Sequence, residues 1–290
     1  MADTQKIKNI ISKNKAEITN SDLAYCANKL RMDIVKMVHL AASGHPGGAL
    51  GLADIFCTLY LKVLNLDTQK PEKSDRFLLS NGHVCAIQYA AMSLVGIIPE
   101  EELWTFRKLG SRLQGHPSTK YLPDLYNSSG SLGQGLSQAC GAGIGMRLQN
   151  FTGHLFIGIS DGECQEGMTW EAAMSIAHYK LDHVTAFVDY NHIQIDGKVE
   201  DVMNLGSLSE KFSSFGWLTR TANGHDFNEI LSAFEWAKKR EGTPKVILFE
   251  NTLGKNVSFM ENQPKWHGSP PDKAQYELAI SELENILSQY

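Results

Sequence analysis

Residues 154–188 read HLFIGISDGECQEGMTWEAAMSIAHYKLDHVTAFV, and this stretch decides the fold class of the 290-residue chain. It opens with the apolar run His154–Ile159 and closes with a second apolar run, Val184–Val188. Between them, residues Trp170–Tyr179 have the pattern of a helix. Two nearly continuous apolar runs joined by a helix are typical of parallel strands that are buried on both faces. The stretch therefore predicts a strand-helix-strand unit.

The same alternation extends on both sides of this unit. A parallel sheet built from such repeats has helices on both of its faces, so we predict an α/β fold of that kind. The additional predicted strands are Arg76–Leu79, Trp217–Thr221 and Lys245–Phe249, and the additional predicted helices are Gly135–Gln149, Ser209–Phe215 and Asn228–Arg240.

We expect a single α/β domain with two helical additions. Residues 1–20 predict an N-terminal surface helix, residues 21–270 form the domain, and residues 271–290 predict a C-terminal helix. No linker composition divides the central region. Residues 109–135 are rich in Gly, Ser, Pro and Asn and predict a long loop, which in a compact domain is usually functional.

Local signals predict several helix boundaries. Ser21 is expected to cap a long amphipathic helix that runs to Ala42. A second apolar helix is expected after the glycine-rich break at residues 43–48 and should run to about Leu64. Pro99 is expected to open a further helix, because three glutamates follow it and negative charge suits the first turn of a helix.

Net charge and composition indicate which binding partners and which cellular location to expect. The formal net charge is −5 and the basic residues form no stripe, so we expect no nucleic-acid partner. The most apolar stretch, residues 50–64, contains Asp54 and Lys62 and is too short to span a bilayer, so we expect no membrane association. The N-terminus has no signal-peptide pattern, and the five cysteines include no CxxC pair. We therefore expect a cytoplasmic protein with reduced thiols.

The loops that follow three predicted strands carry unusual polar residues. They are Asn81-Gly82-His83, Ser160-Asp161-Gly162-Glu163 and Asp189-Tyr190-Asn191-His192-Ile193. In an open parallel sheet the ligand site lies beyond the carboxyl ends of the strands, so these loops are expected to meet at one edge. Asp161 and Asn191 would offer Mg²⁺ two hard oxygen ligands while a diphosphate completes its shell. Asp161 could also simply cap the helix that follows it.

Residues 159–197 closely resemble the thiamine diphosphate motif of transketolases. They read ISDGECQEGMTWEAAMSIAHYKLDHVTAFVDYNHIQIDG. Further segments match transketolase active-site segments in the family's order, so the resemblance covers residues 21–270 and implies the thiamine diphosphate-binding fold. They are Ser43-Gly44-His45-Pro46-Gly47, Leu79-Ser80-Asn81-Gly82-His83, Gly115-His116-Pro117, Gly130-Ser131-Leu132-Gly133-Gln134-Gly135 and Trp266-His267-Gly268. Two positions depart from the family pattern: Ser160 replaces the first glycine of the Gly-Asp-Gly signature, and Tyr190 replaces a second asparagine.

The resemblance implies roles for individual residues, with thiamine diphosphate and Mg²⁺, or another divalent cation, as cofactors. The implied metal ligands are Asp161, Asn191 and the backbone carbonyl of Ile193. The other implied cofactor-binding residues are His83, Gly130, Leu132, Gly162 and Glu163. The implied residues around the reacting carbon and the substrate hydroxyls are His45, His116 and His267. Histidine suits that task because it gives or takes a proton near neutral pH. Glu166 matches an acidic position that connects paired active sites across the oligomer, although an acid in the first turn of a helix is favourable without any mechanism.

The resemblance also implies a partner. Full-length transketolases continue into a pyrimidine-binding domain and a C-terminal domain, whereas this chain stops soon after Trp266-His267-Gly268. We therefore expect a separate C-terminal transketolase subunit, in a heterotetramer with two copies of each chain. Together they are expected to transfer a two-carbon ketol unit from a ketose phosphate to an aldose acceptor.

Other functions remain open at this level. A 1-deoxyxylulose-phosphate synthase-like enzyme or a 2-oxo acid dehydrogenase subunit would use the same cofactor, and a non-catalytic module could keep the same fold. His45, His116 and His267 together favour ketol transfer between sugars. A nicotinamide dinucleotide site at Gly133 and Gly135 is rejected, because no apolar strand precedes them and the third glycine is misplaced.

Overall fold

The structure, a computed structural model, describes residues 2–67 and 69–290. Its helices are α1 (Ala2–Ile11), α2 (Asn20–Ala41), α3 (Pro46–Gly51), α4 (Ala53–Thr58), α5 (Cys85–Leu94), α6 (Gln134–Leu148), α7 (Gly167–His178), α8 (Val199–Met203), α9 (Leu208–Ser214), α10 (Phe227–Ala237) and α11 (Lys273–Leu287). Its strands are β1 (Arg76–Leu79), β2 (Leu155–Ser160), β3 (Val184–Tyr190), β4 (Ile193–Gln194), β5 (Gly197–Lys198), β6 (Leu218–Asn223) and β7 (Lys245–Glu250). In this described part of the chain, no helix combines the length and apolar content that a membrane span requires.

The five long strands form one parallel sheet within residues 2–67 and 69–290, in the order β1, β2, β3, β7, β6. Their carboxyl ends are in register, since Ser160 lies opposite Asp189 and Tyr190 lies opposite Glu250. β4 and β5 form a separate antiparallel hairpin directly after β3. The predicted parallel sheet is confirmed, and the loops expected to carry the site leave from one edge of it.

Helices cover both faces of the sheet, as predicted. α6, α7 and α9 pack on one face, against side chains such as Ile157 and Val188. α4 and α10 pack on the other face, against Phe156 and Phe187. α2 and α5 pack against α4, and α11 packs against α2. Consecutive residues of a strand point to opposite faces, so the central strands β2, β3 and β7 are apolar and buried at nearly every position, whereas the edge strand β6 is polar and largely exposed. Burial on both faces explains the continuous apolar runs of the central strands.

The N-terminal segment differs from the predicted surface helix over residues 1–20. α1 ends at Ile11 and a short 3₁₀ turn, Lys15–Glu17, follows it, while Met1 lies outside the described residues. Ile10 and Ile18 are buried in the core, so the segment packs against the domain. Burial of each isoleucine side chain contributes about 1.5–3 kcal/mol toward holding this polar segment against the domain.

α2 begins before its predicted cap. The cap is Thr19, whose Oγ1 accepts a hydrogen bond from the N–H of Asp22 at 3.1 Å. The carboxylate of Asp22 accepts a bond from the N–H of Thr19 at 2.8 Å. Because this reciprocal pair satisfies the end of the helix, Ser21 lies inside the first turn and does not cap it.

Two other helical predictions need correction, and a third needs only shorter bounds. The apolar helix expected to reach Leu64 is divided into α3, α4 and a π-helical turn at Leu59–Val63. The segment after Pro99 is a 3₁₀ helix, Glu100–Thr105, which ends where the backbone of Phe106 leaves the helical conformation. The C-terminal helix, predicted over residues 271–290, is α11, and a capping box at Asp272 sets its start.

The long loop predicted over residues 109–135 is present, since residues 106–133 contain no helix or strand. Asn127 anchors it to the carboxyl end of β1. Its Oδ1 accepts a hydrogen bond from the N–H of Leu79 at 3.1 Å, and its Nδ2 donates to the carbonyl of Leu79 at 3.1 Å. The loop therefore brings His116 to the same edge of the sheet as the loops that follow β1, β2 and β3.

Candidate active site

A cleft of about 340 Å³ lies at the carboxyl edge of the sheet. The loops after β1, β2 and β3 contribute to it, together with the start of α3, the loop over residues 106–133 and the 3₁₀ turn Pro264–His267. The structure brings all of the residues predicted for the site into its lining. They are His45, His83, His116, Gly130, Leu132, Asp161, Gly162, Glu163, Glu166, Asn191, Ile193 and His267.

Asp161 is buried directly after β2. Its Oδ1 accepts a hydrogen bond from the N–H of Gly162 at 2.7 Å, and its Oδ2 accepts one from the N–H of His192 at 2.6 Å. Burial raises the pKa of this carboxyl from 3.8 to about 6, although both hydrogen bonds act in the opposite direction. A buried carboxylate held only by backbone N–H groups favours the binding of a cation.

A second buried carboxylate, Asp189, lies on the neighbouring strand. Its Oδ1 accepts a hydrogen bond from Nδ2 of Asn251 at 2.8 Å, and its Oδ2 accepts one from Nδ2 of Asn191 at 2.9 Å. Burial and the nearby charge of Asp161 raise the pKa of Asp189 from 3.8 to about 7. The sequence placed Asp189 in the polar loop after the strand ending at Val188 and gave it no role in the site, whereas the structure extends β3 to Tyr190 and buries this acid within it.

The oxygen ligands available at this edge fit a divalent cation that prefers oxygen. The amide of Asn191 donates from Nδ2 to Asp189, and its Oδ1 accepts a hydrogen bond from the N–H of Ile193 at 2.9 Å. The left-handed backbone of His192, with φ 62°, makes this close turn. Across the described residues, no group of three or more His, Cys, Asp or Glu side chains could hold a metal. The protein therefore offers a partial oxygen shell, which Mg²⁺ usually completes with phosphate oxygens and water.

Four of the cleft histidines lie close to one another. The ring centre of His45 is 5.3 Å from that of His83, 6.3 Å from that of His116 and 5.8 Å from that of His267. His83 and His267 stack at 5.1 Å. Burial lowers the pKa of all four rings, that of His45 to about 4. The rings are therefore neutral at pH 7, and each has one donor and one acceptor nitrogen.

Arg107 lies behind His45 and was missed in the sequence. Its Nη1 donates to Oγ of Ser43 at 2.7 Å, and its Nη2 donates to the carbonyl of Gly115 at 3.0 Å and to Nδ1 of His45 at 3.4 Å. A guanidinium can only donate, so Nδ1 of His45 accepts and its Nε2 carries the proton. The positive charge of Arg107 also lowers the pKa of His45 and His116. Nothing in the pattern indicated this residue, which lies in an irregular loop with φ 59°.

Glu163 also has a structural role that its position in the sequence did not indicate. Its buried carboxylate accepts hydrogen bonds from Oγ of Ser80, from the N–H of Gly133 at 2.7 Å and from the N–H of Ser160 at 3.4 Å. Burial raises the pKa of this carboxyl. The three donors lie at the end of β1, before α6 and at the end of β2, so Glu163 joins three walls of the cleft. Its predicted contact with the cofactor stays a prediction.

Glu166 and the cleft glycines occupy the rim. Glu166 is exposed at the N-cap of α7, where its side chain makes no capping bond, and its predicted part in coupling paired sites stays a prediction. Gly130 has φ 149°, a conformation that few other residues adopt, and it lies against His116. A Cβ at Gly162 would have only Gln194 within 4 Å, so the backbone at Gly162 is open to the cleft.

A family model described as "Transketolase, thiamine diphosphate binding domain" matches residues 23–283. The chain belongs to the transketolase family. It is 35% identical to the 6-deoxy-6-sulfo-D-fructose transketolase subunit SqwG of Clostridium sp. (strain MSTE9), over 91% of this chain and 96% of that protein. It is 34% identical to an apulose-4-phosphate transketolase subunit of Phocaeicola vulgatus, over 91% of this chain and 94% of that protein.

Solved transketolases share the fold. The transketolase of Campylobacter jejuni matches with a TM-score of 0.83 and 32% identity over 90% of this chain, and that of Leishmania mexicana with 0.80 and 26% over 92%. This chain spans only 42% and 45% of those two chains. The comparisons confirm the thiamine diphosphate-binding fold and the prediction of a thiamine diphosphate-dependent transketolase subunit.

Proposed function

We propose that this transketolase subunit, together with a separate pyrimidine-binding subunit, transfers a two-carbon ketol unit from a ketose phosphate to an aldose or aldose phosphate. The observation that carries the proposal is the extent of the match. The chain covers 96% and 94% of two relatives that are themselves named as transketolase subunits, but 42% of a full-length transketolase structure. In this proposal the cleft forms one half of a transketolase site.

In this proposal, residues 21–270, of which Thr68 lies outside the described part, hold the cofactor and the metal. Asp161, Asn191 and the carbonyl of Ile193 bind Mg²⁺ or another divalent cation, supported by the two buried carboxylates at this edge. His83 and Gly162 face the diphosphate, Gly130 and Leu132 line the thiazolium ring, and Glu163 contacts the cofactor. When bound, thiamine diphosphate supplies a nucleophilic carbon and an electron sink for the breaking carbon-carbon bond.

The neutral histidines supply hydrogen bonds and proton transfer on the substrate side. His45, held by Arg107 with its proton on Nε2, donates to a substrate oxygen. His116 and His267 orient the substrate hydroxyls, and a neutral ring among them accepts the hydroxyl proton as the carbon-carbon bond breaks. Their lowered pKa values support this role, because an already protonated ring could not accept.

The sugar phosphate and the second half of the cofactor are assigned to the partner. Across the described residues, the lining of the cleft contains no lysine or arginine, so the groups that neutralise the substrate phosphate come from the other subunit. We place two copies of each chain in the assembly, with Glu166 connecting the paired sites. A cytoplasmic location is supported by five cysteines that are all free and buried.

The test is reconstitution with a candidate pyrimidine-binding subunit, identified by co-purification from the source organism. The complex, but neither chain alone, should transfer ketol units in the presence of Mg²⁺ and thiamine diphosphate. Donors should include 6-deoxy-6-sulfofructose, since one relative is named for this sugar, and ordinary ketose phosphates. Full activity of the single chain, or turnover of pyruvate without ketol transfer, would reject the proposal.

A further inference from the structure

A chain of hydrogen bonds links helix α2 to the proposed metal site through a histidine outside the cleft. His225 lies in the turn of residues 223–226, between β6 and α10. Its Nδ1 is 2.8 Å from Oδ2 of Asp54, and its Nε2 is 2.9 Å from the backbone nitrogen of Thr252. The proposed function gives His225 no part.

The two contacts fix the tautomer of the ring. A backbone N–H can only donate, so Nε2 of His225 accepts from Thr252, and Nδ1 carries the proton and donates to Asp54. Arg31 holds Asp54 in turn, since its Nη1 and Nη2 donate to the two carboxylate oxygens at 3.0 Å and 2.6 Å. Arg31 and Asp54 are both buried, so the ring is attached to a fixed ion pair in the core.

The backbone that His225 holds leads directly to the loop of the proposed metal ligands. Asn251, next to Thr252, donates from Nδ2 to Oδ1 of Asp189 at 2.8 Å. The other oxygen of Asp189 accepts from Nδ2 of Asn191 at 2.9 Å, which orients the amide of Asn191. The position of residues 251–252 therefore contributes, through Asp189, to how Asn191 presents its oxygen, which the N–H of Ile193 also holds.

Two glycines let residues 251–252 lie this deep. Oδ1 of Asn251 is 1.8 Å from the position that a Cβ would take at Gly224. The carbonyl oxygen of Thr252 is 2.8 Å from the position of a Cβ at Gly51 in α3. Residues 251–252 therefore lie between α3 and the turn that carries His225. The ring of His225 fixes them further by accepting a hydrogen bond from the N–H of Thr252.

We propose that His225 is a positioning residue for the metal site. Its Nε2 holds residues 251–252, and these orient Asn191 through Asp189. The inference rests on the proposed function, because it requires Asn191 to bind the metal. Removing a direct hydrogen-bond partner of a metal ligand typically weakens metal binding by about 10- to 100-fold, so His225, which acts through residues 251–252 and Asp189, is expected to have an effect at the lower end of that range.

Two variants distinguish the hydrogen bond of the His225 ring to Asp54 from its hydrogen bond to Thr252. In His225→Gln the amide lies near the place of Nε2 and can still accept from Thr252. In His225→Asn the amide lies near the place of Nδ1, so it can donate to Asp54 but does not reach Thr252. The full chain with saturating thiamine diphosphate is titrated with Mn²⁺ as a substitute for Mg²⁺, and free Mn²⁺ is counted by electron paramagnetic resonance. We expect a Kd about tenfold higher for His225→Asn and a Kd near the wild-type value for His225→Gln.

Equal Kd values for the wild type and both variants, or equal weakening in the two variants, would overturn the inference. Asp161→Asn tests the proposed function in the same titration. If Asp161→Asn binds Mn²⁺ as tightly as the wild type, the metal assignment is rejected. If Asp161→Asn loses Mn²⁺ binding while His225→Asn keeps the wild-type Kd, only the positioning role is rejected. His39→Phe is the matched control, because it removes a bond from the ring to the carbonyl of Pro271, and its Kd should be unchanged.

Discussion

Replacing Asp161 with asparagine should make the metal-free chain more stable while removing its response to Mg²⁺ and thiamine diphosphate. The folded state raises the pKa of this carboxyl from 3.8 to about 6, so the protein holds an ionised group at pH 7 that its interior disfavours. Because one pKa unit corresponds to about 1.4 kcal/mol, the ionised carboxylate costs about 3 kcal/mol in the absence of metal.

The stability gained by replacing the carboxylate with a neutral amide is smaller than this cost of about 3 kcal/mol. The oxygen of asparagine can still accept from the N–H of Gly162, but its NH₂ group then faces the N–H of His192, so one hydrogen bond is lost. That loss removes about 1 kcal/mol, which leaves Asp161→Asn more stable by about 2 kcal/mol. For a chain of 290 residues the Tm should rise by roughly 3 °C.

The effect has a defined dependence on pH. A carboxyl whose pKa is raised on folding binds its proton more tightly in the native state, so its favourable contribution is present below pH 3.8 and is lost as the pH rises to about 6. The advantage of Asp161→Asn should therefore be full at pH 7.5 and should shrink as the pH falls toward 4.

The assay is thermal unfolding with a chelator at several pH values, repeated with Mg²⁺ and thiamine diphosphate. Ligands should raise the Tm of the wild type but not that of Asp161→Asn. Asp124→Asn, an exchange at an exposed acid, should behave as the wild type throughout. A metal-free Asp161→Asn chain that is less stable than the wild type at pH 7.5 would refute the argument.

Three further predictions concern packing, charge and the metal. Gly135→Ala should lower stability by about 1–3 kcal/mol in denaturant unfolding, because the new Cβ would lie 2.2 Å from Oγ of Ser80, whereas Gly141→Ala in the open part of the same helix should raise it by about 0.5–1 kcal/mol. An equal effect of the two exchanges would contradict this. Arg107→Gln should raise the pKa of His45 above about 4 in an NMR titration of the ring, since a repelling charge is removed, and an unchanged pKa would refute that cause. Chelation of Mg²⁺ should remove the increase in Tm produced by thiamine diphosphate, and an increase that survives would show that the cofactor binds without the metal.

The parts of the structure that the sequence could predict are those governed by periodicity and by strand ends. The apolar runs ending at Ile159 and Val188 indicated parallel strands, and parallel topology then placed Asp161 and Asn191 at one edge. The resemblance added His45 and the other histidines of the cleft. None of these inferences required knowledge of contacts between distant side chains.

The residues and roles that the sequence did not indicate depend on such contacts, and they include the structural role of Glu163, which was itself predicted as a cofactor-binding residue. Glu163 joins three loops, and Arg107 reaches His45 from a loop with left-handed backbone, so neither role has a local signature. Thr19 displaced Ser21 as the helix cap because its bond pair with Asp22 satisfies two groups at once. Asp189 was expected in the polar loop after Val188, and its partners within the extended strand could not be named before the fold was known.

The anchoring of the long loop by Asn127 has a consequence for folding. β1 lies at the border of the sheet, where a strand exposes unpaired backbone groups that can recruit a strand from another molecule. The side chain of Asn127 binds both outward groups of Leu79 as a neighbouring strand would. The loop that carries His116 to the cleft therefore also protects the border of the sheet against aggregation. Disruption of this loop is therefore expected to expose the border strand to pairing with a strand of another molecule.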